Sequence, residues 1–109
     1  LIDNPFWRFV MSAVANEIYR TLGGNKFRVM TGAKNMVSLE NGIAMKIGRN
    51  KTNANWMKIE LNMLDLYDVT FAKMTNKFEM KSVKEYDNVY NDMLVSLFES
   101  HTGMYTKLY

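Results

Sequence analysis

The spacing of apolar residues changes twice along this chain, and this change constrains the fold more than any other feature. Apolar residues recur at every third or fourth position over residues 6–22, the period of a helix with one buried face. Over residues 27–83 the period becomes two, which is typical of strands. A helical period returns over residues 90–101. The pattern predicts an α+β fold: an N-terminal helix, an antiparallel β-meander of about four to five strands, and a C-terminal helix packed on one sheet face.

Capping and turn residues place the ends of the first elements. Asn4 and Pro5 can start the first helix, and the Gly23-Gly24 pair can end it near Leu22. Asn41-Gly42 favours a tight type I′ hairpin that joins residues 35–40 to residues 43–49. The next two strands are expected to pair as antiparallel neighbours on either side of a short turn at residues 63–65.

Similar signals describe the rest of the chain. A further strand is expected to end near Val83, after a turn at Thr75-Asn76. Asp87 or Asn88 can cap the second helix, and Gly103 stands where a helix often ends. The period change is not accompanied by a linker, so residues 1–109 are predicted to form one domain.

Composition excludes several classes of protein. The 109 residues include no cysteine, which rules out disulfides, thiolate metal sites and thiol nucleophiles. Apolar runs are far shorter than the roughly 20 residues that span a bilayer, and charged residues interrupt the N-terminal stretch. We therefore expect a soluble, cytoplasmic protein with no membrane contact.

Charge is distributed unevenly between the two halves of the chain. Residues 1–58 contain nine Lys and Arg against three acidic residues, a net +6, whereas residues 59–109 contain five against eight, a net −3. Such asymmetry suits a polyanion or an acidic protein surface as partner. Folded domains also interleave their charges in space, and this simpler interpretation remains open.

The sequence shows no convincing catalytic or metal-binding residues, and no cofactor is expected. His101 is the single histidine, and its place near a predicted helix C-terminus favours a structural role as a cation at the helix dipole. Asp65, Asp68 and Asp87 each have an ordinary explanation as turn, strand or cap residues. The Gly23-Gly24-Asn25-Lys26 segment follows a helix instead of opening one, so it predicts a turn and not a phosphate cradle.

One polar, cationic segment stands out as a candidate binding site. Residues 48–55 are predicted to form an exposed hairpin loop directly before Trp56, with further lysines nearby in the sheet. A basic patch beside an aromatic platform is used to track single-stranded nucleic acid. A solvated loop with a core tryptophan explains the same residues equally well. The predicted contacts to a protein or nucleic-acid partner are Lys34, Lys46, Arg49, Asn50, Lys51, Trp56 and Lys58.

Four stretches in order resemble a family of small, largely uncharacterised proteins encoded by tailed bacteriophages and their prophages. They are residues 31–35 (TGAKN), 47–50 (IGRN), 66–71 (LYDVTF), and 89–90 leading to 102–106 (TGMYT). The resemblance covers residues 27–108 and leaves the first helix uncovered. It brings no catalytic residues with it.

The resemblance implies a phage accessory protein that acts inside an infected bacterium. Our first hypothesis is a non-enzymatic factor that binds and inhibits or modulates a host protein, in its sharper form an anti-CRISPR-type anti-defence factor. The second is a small nucleic-acid-binding protein that uses the basic loop. A homo-oligomer is compatible with both hypotheses.

Overall fold

The structure is a computed structural model that describes residues 12–48, 50–75, 77 and 79–106. Over these described residues, three α-helices, a short 3-10 turn and five strands follow one another. The helices are α1 (Ala13–Leu22), α2 (Asn25–Thr31) and α3 (Leu94–Thr102). The strands are β1 (Lys34–Leu39), β2 (Gly42–Lys46), β3 (Trp56–Leu61), β4 (Tyr67–Met74) and β5 (Met80–Val89), and the 3-10 turn is Asn91–Met93.

The five strands form an antiparallel meander in the order β1-β2-β3-β4-β5. Every strand pairs with its neighbour in the chain, so short connections are enough to build the whole sheet. The predicted α+β class, meander and C-terminal helix on one sheet face are confirmed.

The hydrophobic core lies between one face of the sheet and the helices. Ile43 and Met45 alternate inward on β2, and Met57 and Ile59 do the same on β3. The helices contribute fully buried side chains to the same cluster, which are Ile18, Leu22, Phe27, Leu94 and Phe98. We call the opposite side of the sheet the outer face.

The helix α1 begins after Ser12. Ser12 has an extended backbone and its side-chain oxygen accepts a hydrogen bond from the Ala15 amide, which is the geometry of an N-cap. Ser12 also donates its hydroxyl to the Leu39 carbonyl at 2.9 Å and so joins the start of α1 to the end of β1. The predicted start at Asn4 and Pro5 lies outside the described residues. The predicted end is confirmed, because Gly23 follows Leu22 with a φ of 125°.

Two local predictions about glycines were wrong in detail. Gly23-Gly24-Asn25-Lys26 does turn the chain, but it also opens a second helix, since Gly24 precedes α2. In the β1–β2 hairpin Leu39 pairs with Gly42, so the turn residues are Glu40 and Asn41, and neither has a positive φ. Gly42 already belongs to β2, and a Cβ there would collide with the carbonyl oxygen of Ile59.

The second half of the chain departs from prediction at one boundary. Asp87 and Asn88 do not cap a helix, because β5 continues to Val89. The strand is irregular there, and Asn88 takes a φ of 58°. Gly103 ends α3 in the left-handed conformation, as predicted. Among the described residues, no helix has the length and apolar character needed to cross a membrane.

Candidate functional site

Three of the predicted contact residues form a row across the outer face. Lys34 of β1 pairs with Lys46 of β2, and Lys46 pairs in turn with Trp56 of β3. Residues directly opposite one another in antiparallel strands project from the same face, with Cβ atoms roughly 5 Å apart. We call these three residues the basic row. Both lysines are exposed, and Trp56 is half-buried.

Small side chains lie around the basic row. Trp56 pairs on its other side with Ala72 of β4, which is 3% exposed, and Ala44 precedes Lys46 by two positions on the same face and is 5% exposed. Both alanines are buried although they lie on the outer face. The indole therefore projects from a floor of small residues, and part of it is open to solvent.

Lys58 shares the outer face with the basic row but carries a partner. It is two positions beyond Trp56, and its ammonium group lies 3.5 Å from a carboxylate oxygen of Glu60. Both side chains are almost half exposed, so this pair contributes little to stability. Lys34 and Lys46 have no carboxylate partner in the described part of the chain. Within the described residues, a neighbouring carboxylate therefore offsets the positive charge of Lys58 but not those of Lys34 and Lys46.

Asn50 is a predicted contact residue whose side chain is hydrogen-bonded within its own loop. Its side-chain amide donates to the carbonyls of Gly48 and Ala54 at 2.9 and 2.7 Å. Its side-chain oxygen accepts from both the backbone amide and the hydroxyl of Thr52. These four hydrogen bonds tie several parts of the loop to one side chain, so the role of Asn50 in the structure is to hold the loop.

Lys51 lies away from the basic row, beside the C-terminus of α3. Its backbone amide donates to the Thr102 carbonyl at 3.3 Å, and its aliphatic chain runs next to Gly103. This position places a cation at the negative end of a helix dipole.

Arg49 falls outside the described residues. Of the seven predicted residues, the structure brings Lys34, Lys46, Trp56 and Lys58 together and separates Asn50 and Lys51 from them.

Basic and acidic residues are concentrated at opposite ends of the sheet, although in the sequence they divide between the two halves of the chain. One end of the sheet carries lysines in its strand ends and turns, together with the acidic residue Glu79. These lysines are Lys34, Lys46, Lys51, Lys73, Lys77 and Lys81. We call it the basic end. The strand ends and turns of the opposite, acidic end contribute Glu40, Glu60, Asp65, Asp68, Asp87 and Asp92. The basic row lies toward the basic end, where the local potential favours an anionic partner.

Of the three carboxylates considered from the sequence, Asp68 has structural partners. One oxygen of Asp68 accepts hydrogen bonds from the Asn62 side chain and the Asn88 amide, at 3.0 and 3.1 Å. Asp65 is in the β3–β4 turn with a φ of 61°. The described residues hold no group of three His, Asp or Glu side chains that is arranged for a metal ion.

His101 contributes to the core instead of acting as a cation. Its ring stacks on Phe71, and its Nδ1 lies 3.1 Å from the Tyr86 hydroxyl. Burial, and then the nearby charges of Lys51 and Lys84, lower the pKa of His101 below its ordinary value. The predicted structural role agrees with this packing, whereas a lowered pKa disfavours the charged form that a helix C-terminus would attract.

Sequence reasoning did not single out Lys73, Lys77 and Lys81, which complete the basic end. They belong to the half of the chain with net negative charge, so their contribution depends on the strand register.

Comparison of the chain with protein-family models, with curated proteins and with solved structures finds no match. The fold and the outer face together define a small α+β protein with a basic, aromatic sheet surface.

Proposed function

We propose that this protein is a non-enzymatic accessory factor that binds a host protein inside a phage-infected bacterium, and that the basic row is the centre of its contact surface. The observation that carries the proposal is the Lys34–Lys46–Trp56 register across three strands. A half-buried tryptophan beside the ammonium group of Lys46 supplies apolar contact area, and the two lysines supply long-range attraction. The rigid sheet holds these side chains in place before binding, which lowers the entropy cost of association.

Electrostatics narrows the kind of host surface involved. Two unpaired lysines at the basic end attract a patch of Asp and Glu, and they repel a groove built from Arg and Lys. If the target is a nucleic-acid-handling defence effector of the CRISPR type, the basic row would bind an acidic surface of the effector outside its nucleic-acid channel. Inhibition would then come from blocking a movement or an assembly step.

Affinity capture from lysate of the host bacterium tests this proposal. We expect the wild-type protein to retain a specific host protein and Lys46→Glu to lose it. Lys73→Glu is the matched control, because Lys73 is an exposed lysine at the same basic end whose position on β4 alternates to the other side of the sheet. Retention of the same protein by Lys46→Glu at wild-type yield would refute the proposal.

A nucleic-acid-binding function is the second candidate, and one observation favours it. Trp56 has Lys46 directly opposite and Lys58 two positions along the same face, so a base stacked on the indole would have an ammonium group on two sides. Titration of a Trp7→Phe variant with oligonucleotides isolates the fluorescence of Trp56. Quenching that weakens steeply with added salt would support this candidate, whereas no quenching at low salt by any single- or double-stranded oligonucleotide would exclude it.

A further inference from the structure

A second surface with different chemistry lies between the end of β5 and α3. It is an open groove of about 440 Å³ whose floor is apolar and whose edges carry serine hydroxyls. Val89, Tyr90, Met93 and Leu97 form the apolar part, and Ser96 lies on the helical wall. Tyr90 is 63% exposed and Met93 is 53% exposed. Exposed large apolar side chains beside a groove are typical of docking sites.

The β3–β4 turn, also at the acidic end of the sheet, carries two further exposed apolar side chains. Met63 and Leu64 are 101% and 69% exposed at the tip of the turn. Asn62 fixes the turn from inside, since its side-chain oxygen accepts from the Leu64 and Leu66 amides at 2.8 and 3.2 Å. The two apolar side chains are therefore presented to solvent by a structured turn.

Asn62 also connects the turn to the groove. Its side-chain amide donates to the side-chain oxygen of Asn88 at 2.8 Å, and Asn88 lines the groove with a left-handed backbone. Asparagine adopts this conformation more readily than most residues, so the lip of the groove is shaped without large strain. This hydrogen bond ties the β3–β4 turn to the lip of the groove at the acidic end of the sheet.

The charges around this surface are mainly negative. Asp92 stands between Tyr90 and Met93 in the 3-10 turn, Asp87 precedes Asn88, and both are exposed. Asp65 adds a further carboxylate in the turn beside Leu64. Lys84 of β5 lies toward the opposite end of α3, near Tyr86. The carboxylates near the 3-10 turn therefore attract a positively charged occupant to that end of the groove.

We propose that this groove, the β5–α3 groove, docks an amphipathic segment of a partner protein that carries basic residues beside its apolar anchors. Helices of this kind place apolar side chains at every third or fourth position into an apolar groove. The acidic rim attracts the Lys and Arg side chains of such a segment and repels an anionic membrane surface. The groove therefore favours a basic protein over a membrane. The groove is opposite in charge to the basic row, so this site is independent of the function proposed above.

Fluorescence anisotropy with a labelled helical peptide of about 14 Leu and Lys residues tests the proposal. A peptide with Glu in place of Lys is the charge control. We expect the Leu/Lys peptide to bind and the Leu/Glu peptide to bind at least about tenfold more weakly. Asp92→Lys is expected to weaken the Leu/Lys peptide about three- to tenfold. Glu79→Lys makes the same charge change at the basic end and is expected to leave binding unchanged.

A groove-filling variant separates docking from general charge attraction. Ser96→Trp places a large side chain in the groove and is expected to abolish peptide binding, whereas Asn16→Trp on the exposed side of α1 is expected to preserve it. Unchanged thermal melting of both variants excludes unfolding as the cause. Equal binding of the two peptides, or full binding by Ser96→Trp, would overturn the proposal. It would also be overturned if sedimentation showed a dimer that Ser96→Trp dissociates, since the occupant would then be a second copy of this chain.

Discussion

The imidazole of His101 lies flat on the ring of Phe71, with ring centroids 4.0 Å apart and ring planes inclined by 15°. This stack joins the last turn of α3 to the centre of β4. Tyr86 approaches both rings edge-on, at 5.8 Å from His101 and 6.2 Å from Phe71. The Nε2 atom is buried and has no hydrogen-bond partner in the described part of the chain. A second proton on this ring would therefore be poorly solvated.

Stability is predicted to fall on mild acidification. The folded-state pKa of His101 is lowered, first by burial and then by Lys51 and Lys84, so protonation favours the unfolded chain. The stabilisation is complete above the unfolded-state pKa of about 6.5 and is lost as the pH falls through the lower folded-state value. Thermal melts followed by circular dichroism between pH 7.5 and 5.5 measure this loss.

The His101→Gln variant is the control for that experiment. His101 is the only histidine in the chain, and Asp and Glu side chains of ordinary pKa stay ionised over this range. We expect the variant to melt at nearly the same temperature at each pH. An equally steep decline in the variant would show that another group is responsible.

Gly42→Ala is predicted to destabilise the protein by about 1–3 kcal/mol, because the new methyl group would overlap the Ile59 carbonyl and crowd Glu60 across β2 and β3. The midpoint of urea unfolding measures the effect. Asn41→Ala, in the same hairpin but exposed, is expected to change the midpoint little. Wild-type stability of Gly42→Ala would mean that β2 and β3 are further apart than described.

Asn50→Ala is predicted to destabilise the loop between β2 and β3 by about 1–3 kcal/mol, since it leaves partly buried carbonyls and the Thr52 hydroxyl without their partner. Urea unfolding and limited proteolysis of the loop report the loss. Asn53→Gly is the matched change, because Asn53 is exposed with a φ of 65° that glycine adopts freely. Equal behaviour of the two variants would contradict the structural role of Asn50.

Reversing charge in the basic row is predicted to weaken capture of the host partner in a salt-dependent way. Lys34→Glu and Lys46→Glu should each raise the dissociation constant about three- to tenfold at low salt, and less as salt increases, because exposed charges are screened. Biolayer interferometry with the captured partner measures both effects. The single variants Lys73→Glu and Lys81→Glu make the same change elsewhere at the basic end, and each should have the smaller effect.

Sequence reasoning predicted the elements whose patterns are long and regular. Met57 and Ile59 alternate with polar residues on β3, and this local pattern defines both a strand and its buried face. It did not predict α2, because seven residues after two glycines contain too few turns to show a period. Asp87 and Asn88 were misassigned because the residue types that cap helices also form strand irregularities and turns.

The candidate site was predicted only in part, for a different reason. Proximity in sequence suggested that residues 48–58 act together, but the side chains divide among an outer face, a loop interior and a helix end. Lys34 joins Lys46 through strand pairing, which depends on contacts between distant parts of the chain. The loop-holding role of Asn50 was not predicted, because an asparagine that organises a loop and one that binds a partner look the same in the sequence.

Lysine acetylation read by mass spectrometry, with and without the captured host protein, tests the central claim most directly. If the basic row is the contact surface, bound protein will show reduced labelling of Lys34 and Lys46, while Lys73 and Lys81 react as in the free protein. If Lys34 and Lys46 are labelled equally in both states while the host protein remains bound, the partner binds elsewhere and the account is contradicted.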